Sequence, residues 1–338
     1  MNVFITGGCG FIGSHLAERL LELDQTVVGL DNFSTGKRAN LAQVKKIVGA
    51  ARWRKFQLIE GDTRSRTTCL EACAGADVVL HQAALGSVPL SLENPLAAHD
   101  SNVTGFANVL QAAREAGAQR FVFASSSAVY GDHPGVPSVE EAMGQALSPY
   151  AVTKHVNELY AAAYARCYGF AAIGLRYFNV FGPRQDPQGA YLAVIPAWIG
   201  AMIRGEAVYI NGDGKTTRDF CHVANVVDAN LLAATTTRAG ALNQAYNIAA
   251  GEATSLNLLF ELIRGQLAPR YPRLADLRPQ YRAFRPGDIP FSVGSYAKAA
   301  RLLDYQPRIR VDEGLARTAD WYAEQLAPPG RRMAAHAA

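Results

Sequence analysis

The sequence predicts an α/β fold, a doubly wound parallel sheet with a smaller mixed α/β lobe built onto it. Short apolar runs alternate with stretches of helical period through the first half of the chain, the pattern of parallel strands covered on both faces. A glycine-rich turn joins the first run to the first helix. Pro and Gly rich stretches at 182–189, 211–214 and 284–290 then interrupt the second half, where loops of a substrate lobe are expected. At 338 residues the chain is long enough for two lobes that bury their own cores without disulfide or metal staples.

Asn2–Thr6 is apolar and ends in glycines, and Ser14–Glu22 follows with Leu16, Ala17, Leu20 and Leu21 at helical spacing. The chain therefore opens strand, tight turn, helix. Thr26–Leu30, Gln57–Glu60, Val78–His81 and Arg120–Ala124 are four more strands, separated by helices near 37–48, 65–74 and 101–117. A long helix over Pro149–Tyr168 leads to a strand over Ala172–Tyr177.

Composition narrows the function. The net charge is +4 and the basic residues are scattered, so a nucleic-acid partner is not expected. Five cysteines, none at a C-x-x-C spacing, indicate reduced thiols, and seven histidines without ligand spacing indicate no metal. Neither a signal peptide nor a long apolar run is found, which makes a cytoplasmic protein without a membrane partner the expectation.

Gly7, Gly10 and Gly13 follow the first strand as G-x-x-G-x-x-G, where close backbone approach lets the next helix aim its amides at a pyrophosphate. Asp31 closes the second strand, where a carboxylate accepts from both hydroxyls of an adenosine ribose and repels a 2′-phosphate. The cofactor expected is NAD rather than NADP. A rival phosphate motif, Gly214-Lys215-Thr216, fails because the glycine it needs five positions earlier is Tyr209.

Tyr150 and Lys154 stand one helical turn apart, and no other tyrosine of the 14 has a lysine four positions on. The ammonium, with the positive nicotinamide of the oxidised cofactor, favours phenolate and makes Tyr150 a candidate general base. Ser125, Ser126 and Ser127 follow the fifth strand, at the sheet edge where open α/β folds bind ligands. A hydroxyl there can pass a proton between substrate and Tyr150.

TGGCGFIG at 6–13, DNFSTG at 31–36, GD at 61–62, HQAA at 81–84, SSSAVYG at 125–131, SPYAVTK at 148–154 and RYFNVFGP at 176–183 together resemble the extended short-chain dehydrogenase/reductase superfamily. QDPQGAYLAVIPAWI at 185–199, GDGKTTRDFCHV at 212–223 and FRPGD at 284–288 are similar to its nucleotide-sugar 4-epimerase branch. The resemblance implies a Rossmann-type NAD-binding domain over 1–178 completed by about 219–250, a UDP-sugar domain from 179–218 and 251–326, and a disordered tail over 327–338. It implies that Gly7, Gly10, Phe11, Ile12, Asp31, Asn32, Asp62, Thr63, Gln82, Tyr150, Lys154 and Tyr177 line the NAD site. Substrate contacts are implied for Ser87, Ser126, Ser127, Asn179, Val194, Tyr209, Asn211, Arg218, Arg285 and Asp288, with Arg218 and Arg285 clamping the diphosphate and Ser126 the catalytic serine.

The implied chemistry is transient oxidation at C4 of the sugar, with Tyr150 taking the 4-hydroxyl proton and the hydride returning on the opposite face. Elimination in related enzymes needs an acidic residue where this chain has Ser-Ser-Ser. Ser292 lies four residues beyond Asp288, where members confined to UDP-glucose and UDP-galactose carry a bulky Tyr that walls the hexose. A serine there leaves room for a 2-acetamido group. Ala193 stands where a phosphate-contacting Asn is usual, and GSVPLS at 86–91 and GAYLAVIP at 189–196 resemble the N-acetylhexosamine members. The expected reaction interconverts UDP-N-acetylglucosamine and UDP-N-acetylgalactosamine, with the non-acetylated pair slower. The alternatives are a UDP-glucose/UDP-galactose or UDP-glucuronate 4-epimerase and, from another class, a catalytically silent NAD(H)-binding regulator. A homodimer paired through the helices at 101–117 and 149–168 is implied by the resemblance alone.

Overall fold

Apolar side chains fill both sides of the central strands. Val3 and Ile5 enter one core and Phe4 the other, and the same division separates Val122 and Ala124 from Phe121 and Phe123. A strand buried on both faces cannot serve as an amphipathic hairpin, so layers of helix must cover each side. The computed structural model describes residues 1–187, 189, 193–284 and 289–326.

The first half runs β1 (Asn2–Thr6), α1 (Phe11–Glu22), β2 (Thr26–Asp31), α2 (Arg38–Trp53), β3 (Phe56–Glu60), α3 (Arg66–Cys73), β4 (Val78–His81), α4 (Val88–Glu93), α5 (Pro95–His99), α6 (Gly105–Glu115), β5 (Arg120–Ser126), α7 (Pro149–Tyr168) and β6 (Ala172–Tyr177). The second half adds β7 (Val180–Phe181), α8 (Val194–Arg204), β8 (Tyr209–Asn211), β9 (Thr217–Arg218), β10 (Cys221–His222), α9 (Val223–Thr235), β11 (Gln244–Ile248), β12 (Thr254–Ser255), α10 (Leu256–Leu267), β13 (Gln280–Arg282), β14 (Phe291–Ser292), α11 (Ala297–Leu303) and α12 (Val311–Gln325).

Seven strands form one sheet in the order β3-β2-β1-β4-β5-β6-β11, and each neighbouring pair is parallel. This is the Rossmann-type doubly wound sheet. Its order reverses between β1 and β4, which opens a crevice at the carboxyl ends of the strands. One face packs Leu16, Leu20, Val44 and Val226 from α1, α2 and α9. Cys69, Phe106 and Leu110 from α3 and α6 cover the other. A third core joins Trp198 and Ile199 of α8, Phe260 and Ile263 of α10, and Leu315 and Tyr322 of α12.

Local signals account for α7. The Ser148 hydroxyl accepts from the Ala151 amide, Pro149 begins the helix, and Gly169 ends it in the left-handed region at φ +66°. The helix expected at 101–117 is divided instead. Asp100–Thr104 form a π-helical turn and the α-helix proper begins at Gly105. The turn carries Asn102 inward, where it accepts from Leu85 N at 2.8 Å and donates to Thr153 Oγ1 at 3.1 Å. The fifth strand also runs two residues past its expected end, through Ser125 and Ser126. The tail expected over 327–338 lies outside the described residues.

Candidate active site

The glycine turn sits at the carboxyl end of β1. Gly7 has φ +69° and donates to Leu30 O at 2.8 Å, which ties the turn to β2. A Cβ at Gly13 would stand 2.0 Å from Gly7 O, so α1 rests its backbone directly on the turn. The N-cap, Gly10, offers no side-chain cap, and the first turn of α1 contains no acidic residue. The amides of Phe11 and Ile12 are thus suited to an anion, and this cradle of glycine and helix terminus fits a pyrophosphate.

Asp31 ends β2 and is 7 % exposed. Its two oxygens accept from the amides of Cys9 and Phe33, each at 2.8 Å. Each oxygen keeps a lone pair for a ribose hydroxyl. A Cβ at Gly36 would lie 2.6 Å from both oxygens, so glycine is what lets the loop close over the carboxylate. Asn32 donates to Asp62 at 2.8 Å, and the hydrogen bonds of Arg64 hold the Asp62 carboxyl down at about 2. The Thr63 carbonyl accepts from Asn108 Nδ2 at 3.0 Å. Gln82 and Tyr177 belong to a closed polar ring. Tyr177 donates to Gln82 Oε1 at 3.0 Å, Gln82 donates to Asn230 at 3.0 Å, and Asn230 donates back to Tyr177 at 2.8 Å.

Lys154 is 2 % exposed and donates to Ala124 O at 2.8 Å. Its ammonium stands 5.9 Å from the centre of the Tyr150 ring. Burial lowers the lysine to about 8. A depressed lysine is charged below that value and neutral above it, so its help to a phenolate is present at neutral pH and lost on the alkaline side. Turnover is therefore expected to decline as pH rises through about 8, and a kcat profile flat from pH 7 to 10 would contradict a role for this charge. Ser126 accepts from the Ala128 amide at 3.1 Å, which leaves its own proton free to donate. The Tyr150 amide donates to Ser91 at 3.1 Å and ties the start of α7 to α4.

The expected substrate residues fall in several places. Ser87 is buried, and its hydroxyl caps α4 by accepting from Leu90 N at 3.1 Å. Ser127 opens the turn after β5, and Val194 opens α8. Arg282 stacks over Tyr209 at 3.3 Å from the ring centre and pairs in register with Asn211. Ser292 of β14 lies directly across from Arg218 of β9. Arg285 and Asp288 lie outside the described residues.

Asp219, next to Arg218, is a residue that sequence reasoning missed. Fully buried, its carboxylate accepts from Ala250 N at 2.7 Å, Gly251 N at 3.0 Å and Gly294 N at 3.2 Å, while its carbonyl takes Asn179 Nδ2 at 3.2 Å. It thereby draws together the stretches that carry Asn179, Arg218 and Ser292. Its adjacency to Arg218 was the available signal. Asn230 and Asn102 had none. Among the described residues there is no group of His, Cys, Asp or Glu that could hold a metal, and no helix long and apolar enough to cross a membrane.

Residues 3–249 match the NAD dependent epimerase/dehydratase family. The chain belongs to that family. A UDP-glucose 4-epimerase of Mycolicibacterium smegmatis is 34 % identical over 324 residues, which are 95 % of this chain and 98 % of that one. The solved UDP-N-acetylglucosamine 4-epimerase of Methanobrevibacter ruminantium, in complex with UDP-N-acetylmuramic acid, superposes with a TM-score of 0.87 at 35 % identity, covering 96 % of this chain and 99 % of its own. The Thermus thermophilus UDP-glucose 4-epimerase in complex with NAD gives 0.82 at 32 % identity, covering 97 % and 100 %. The protein is an NAD-dependent enzyme of the nucleotide-sugar 4-epimerase group, and NAD is its cofactor. The uncapped start of α1 and the lone pairs of Asp31 fit that cofactor's pyrophosphate and ribose.

Proposed function

We propose that this epimerase interconverts UDP-N-acetylglucosamine and UDP-N-acetylgalactosamine by inverting C4, and turns over the non-acetylated pair more slowly. The observation that carries the acetylated sugar is the pairing of Ser292 with Arg218. Residues in register on parallel strands present their side chains to the same face. A small hydroxyl therefore stands beside the arginine assigned to the diphosphate, where a bulky ring would take the volume of a 2-acetamido group.

Bound NAD supplies the reversible hydride acceptor that inversion at C4 requires. Tyr150 takes the proton of the sugar 4-hydroxyl and returns it, Ser126 hands that proton between the two oxygens, and Lys154 keeps the phenolate favoured below about pH 8. Gly7, Gly10, Phe11 and Ile12 hold the pyrophosphate, while Asp31 and Asn32 orient the adenosine end. Arg218 fixes the diphosphate of the substrate, which must stay anchored while the hexose turns over its other face.

A second reading, UDP-glucose to UDP-galactose, is favoured by the name of the Mycolicibacterium relative. Incubating the purified enzyme separately with UDP-N-acetylglucosamine, UDP-glucose and UDP-glucuronate, and following the C4 epimers by NMR, separates the readings. The acetylated sugar is expected to show the highest kcat/KM. In Ser292→Tyr that preference should fall by about tenfold or more while UDP-glucose turnover persists, since a volume clash of this kind costs about 1–3 kcal/mol. An unchanged preference removes Ser292 from the pocket wall.

A further inference from the structure

Tyr150, Lys154 and Glu158 follow one another at four-residue intervals on α7, so they form one stripe along the helix. The stripe meets the end of β5 residue by residue. Lys154 reaches the carbonyl of Ala124 at 2.8 Å. One turn on, Glu158 Oε1 accepts from the hydroxyl of Ser125 at 2.5 Å. The next strand residue is Ser126.

Arg176 of β6 grips the same carboxylate with two prongs, Nε to Oε1 at 2.9 Å and Nη2 to Oε2 at 2.7 Å. Both side chains are nearly out of solvent, at 4 % and 12 % exposure. Arg176 is itself held in place, because Nη1 donates to the Tyr130 hydroxyl at 3.0 Å and to Glu140 O at 3.1 Å. The Tyr130 hydroxyl then donates to Asn247 of β11 at 2.5 Å. A buried ion pair adds little net stability once desolvation is counted. Its geometry, by contrast, is closely defined, and here it ties one helix to three adjacent strands directly behind the reacting groups.

We propose that Glu158 is a positioning residue that sets the spacing between the β5 edge bearing Ser126 and the α7 stripe bearing Tyr150 and Lys154. The inference rests on the assignment of Tyr150 as the base. Misplacement of a reacting group by about 1 Å costs on the order of a hundredfold in rate, so a modest loosening of this tie should register in kcat before it registers in binding.

Ser125→Ala tests the tie with the ion pair left in place. It is expected to lower kcat by about tenfold, to leave KM for the UDP-sugar within about twofold and bound NAD at the wild-type content, and to move the alkaline midpoint of the kcat profile. Ser125→Thr, which keeps a hydroxyl, should restore kcat. Glu158→Gln should show the same split. Should burying an unpaired Arg176 prevent that variant from folding, the double change Glu158→Met with Arg176→Met replaces the pair by apolar groups of similar size and should carry the same kcat defect. Wild-type kcat with an unmoved pH midpoint in both Ser125→Ala and the double variant overturns the proposal. A parallel rise in KM and loss of NAD also overturns it, since general loosening would do that. Tyr150→Phe, measured alongside, separates the two assignments. Surviving turnover there removes the base and the positioning role with it, whereas a dead Tyr150→Phe beside an untouched Ser125→Ala and an untouched double variant removes only the positioning role.

Discussion

Tyr150→Phe is expected to lower kcat by about 10² to 10⁴-fold while bound NAD is retained, the range that loss of a positioned general acid/base gives. The substitution deletes one oxygen and keeps the aromatic ring and the backbone amide. The start of α7 stays anchored by the Ser148 cap and by the contact of the Tyr150 amide with Ser91. Lys154 stays where Ala124 O holds it, independent of the phenol. The kcat for UDP-N-acetylglucosamine and for UDP-glucose, together with the NAD released on denaturation, checks the outcome. Turnover near the wild-type rate would remove Tyr150 from the chemistry, and loss of NAD would give it a binding role instead.

Gly13→Ala is expected to abolish NAD retention and to destabilise the protein. The added methyl would meet Gly7 O at 2.0 Å and Gly7 C at 2.8 Å, both backbone atoms of a turn fastened to β2. No side chain can rotate to relieve the contact, so α1 must lift from the turn or the turn must open. Overpacking of this kind costs about 1–3 kcal/mol or more. Either movement also displaces the amides of Phe11 and Ile12, which are proposed to hold the pyrophosphate. NAD content of the purified variant and its thermal midpoint read the two effects separately. Full occupancy with an unchanged midpoint would show that the turn yields more easily than its hydrogen bonds suggest.

The strands β1, β4, β5 and β6 were legible because each buries both faces, so the apolar runs mark them without reference to their neighbours. Helix α7 was legible to the residue because cap, proline and terminating glycine all lie within its own sequence. The helices after residue 180 were missed. Pro and Gly rich stretches dominate that region, and α8, α10 and α12 face a core assembled from distant segments. Within the site, the glycine turn, Asp31 and the Tyr150-Lys154 spacing stood out because a short motif contains them whole. Glu158 continued the same four-residue interval, yet a carboxylate on a helix has no visible purpose until Arg176 and Ser125 are seen to meet it.

The sequence by itself determined the alternation of strand and helix, the glycine turn that opens α1 without a side-chain cap, and the one-turn spacing of Tyr150 and Lys154 on α7. Each of these depends on periodicity, glycine conformation or spacing over a few residues, and those are properties of neighbours along the chain. Only the tertiary structure decided that Ser292 lies beside Arg218, that Asp219 gathers three backbone amides, and that Gln82, Tyr177 and Asn230 close into a ring. Those polar groups have partners far away in sequence, with Gln82 and Asn230 separated by 148 positions. A buried donor must find an acceptor somewhere, but which one it finds is set by the packing of the layers that bring the two together.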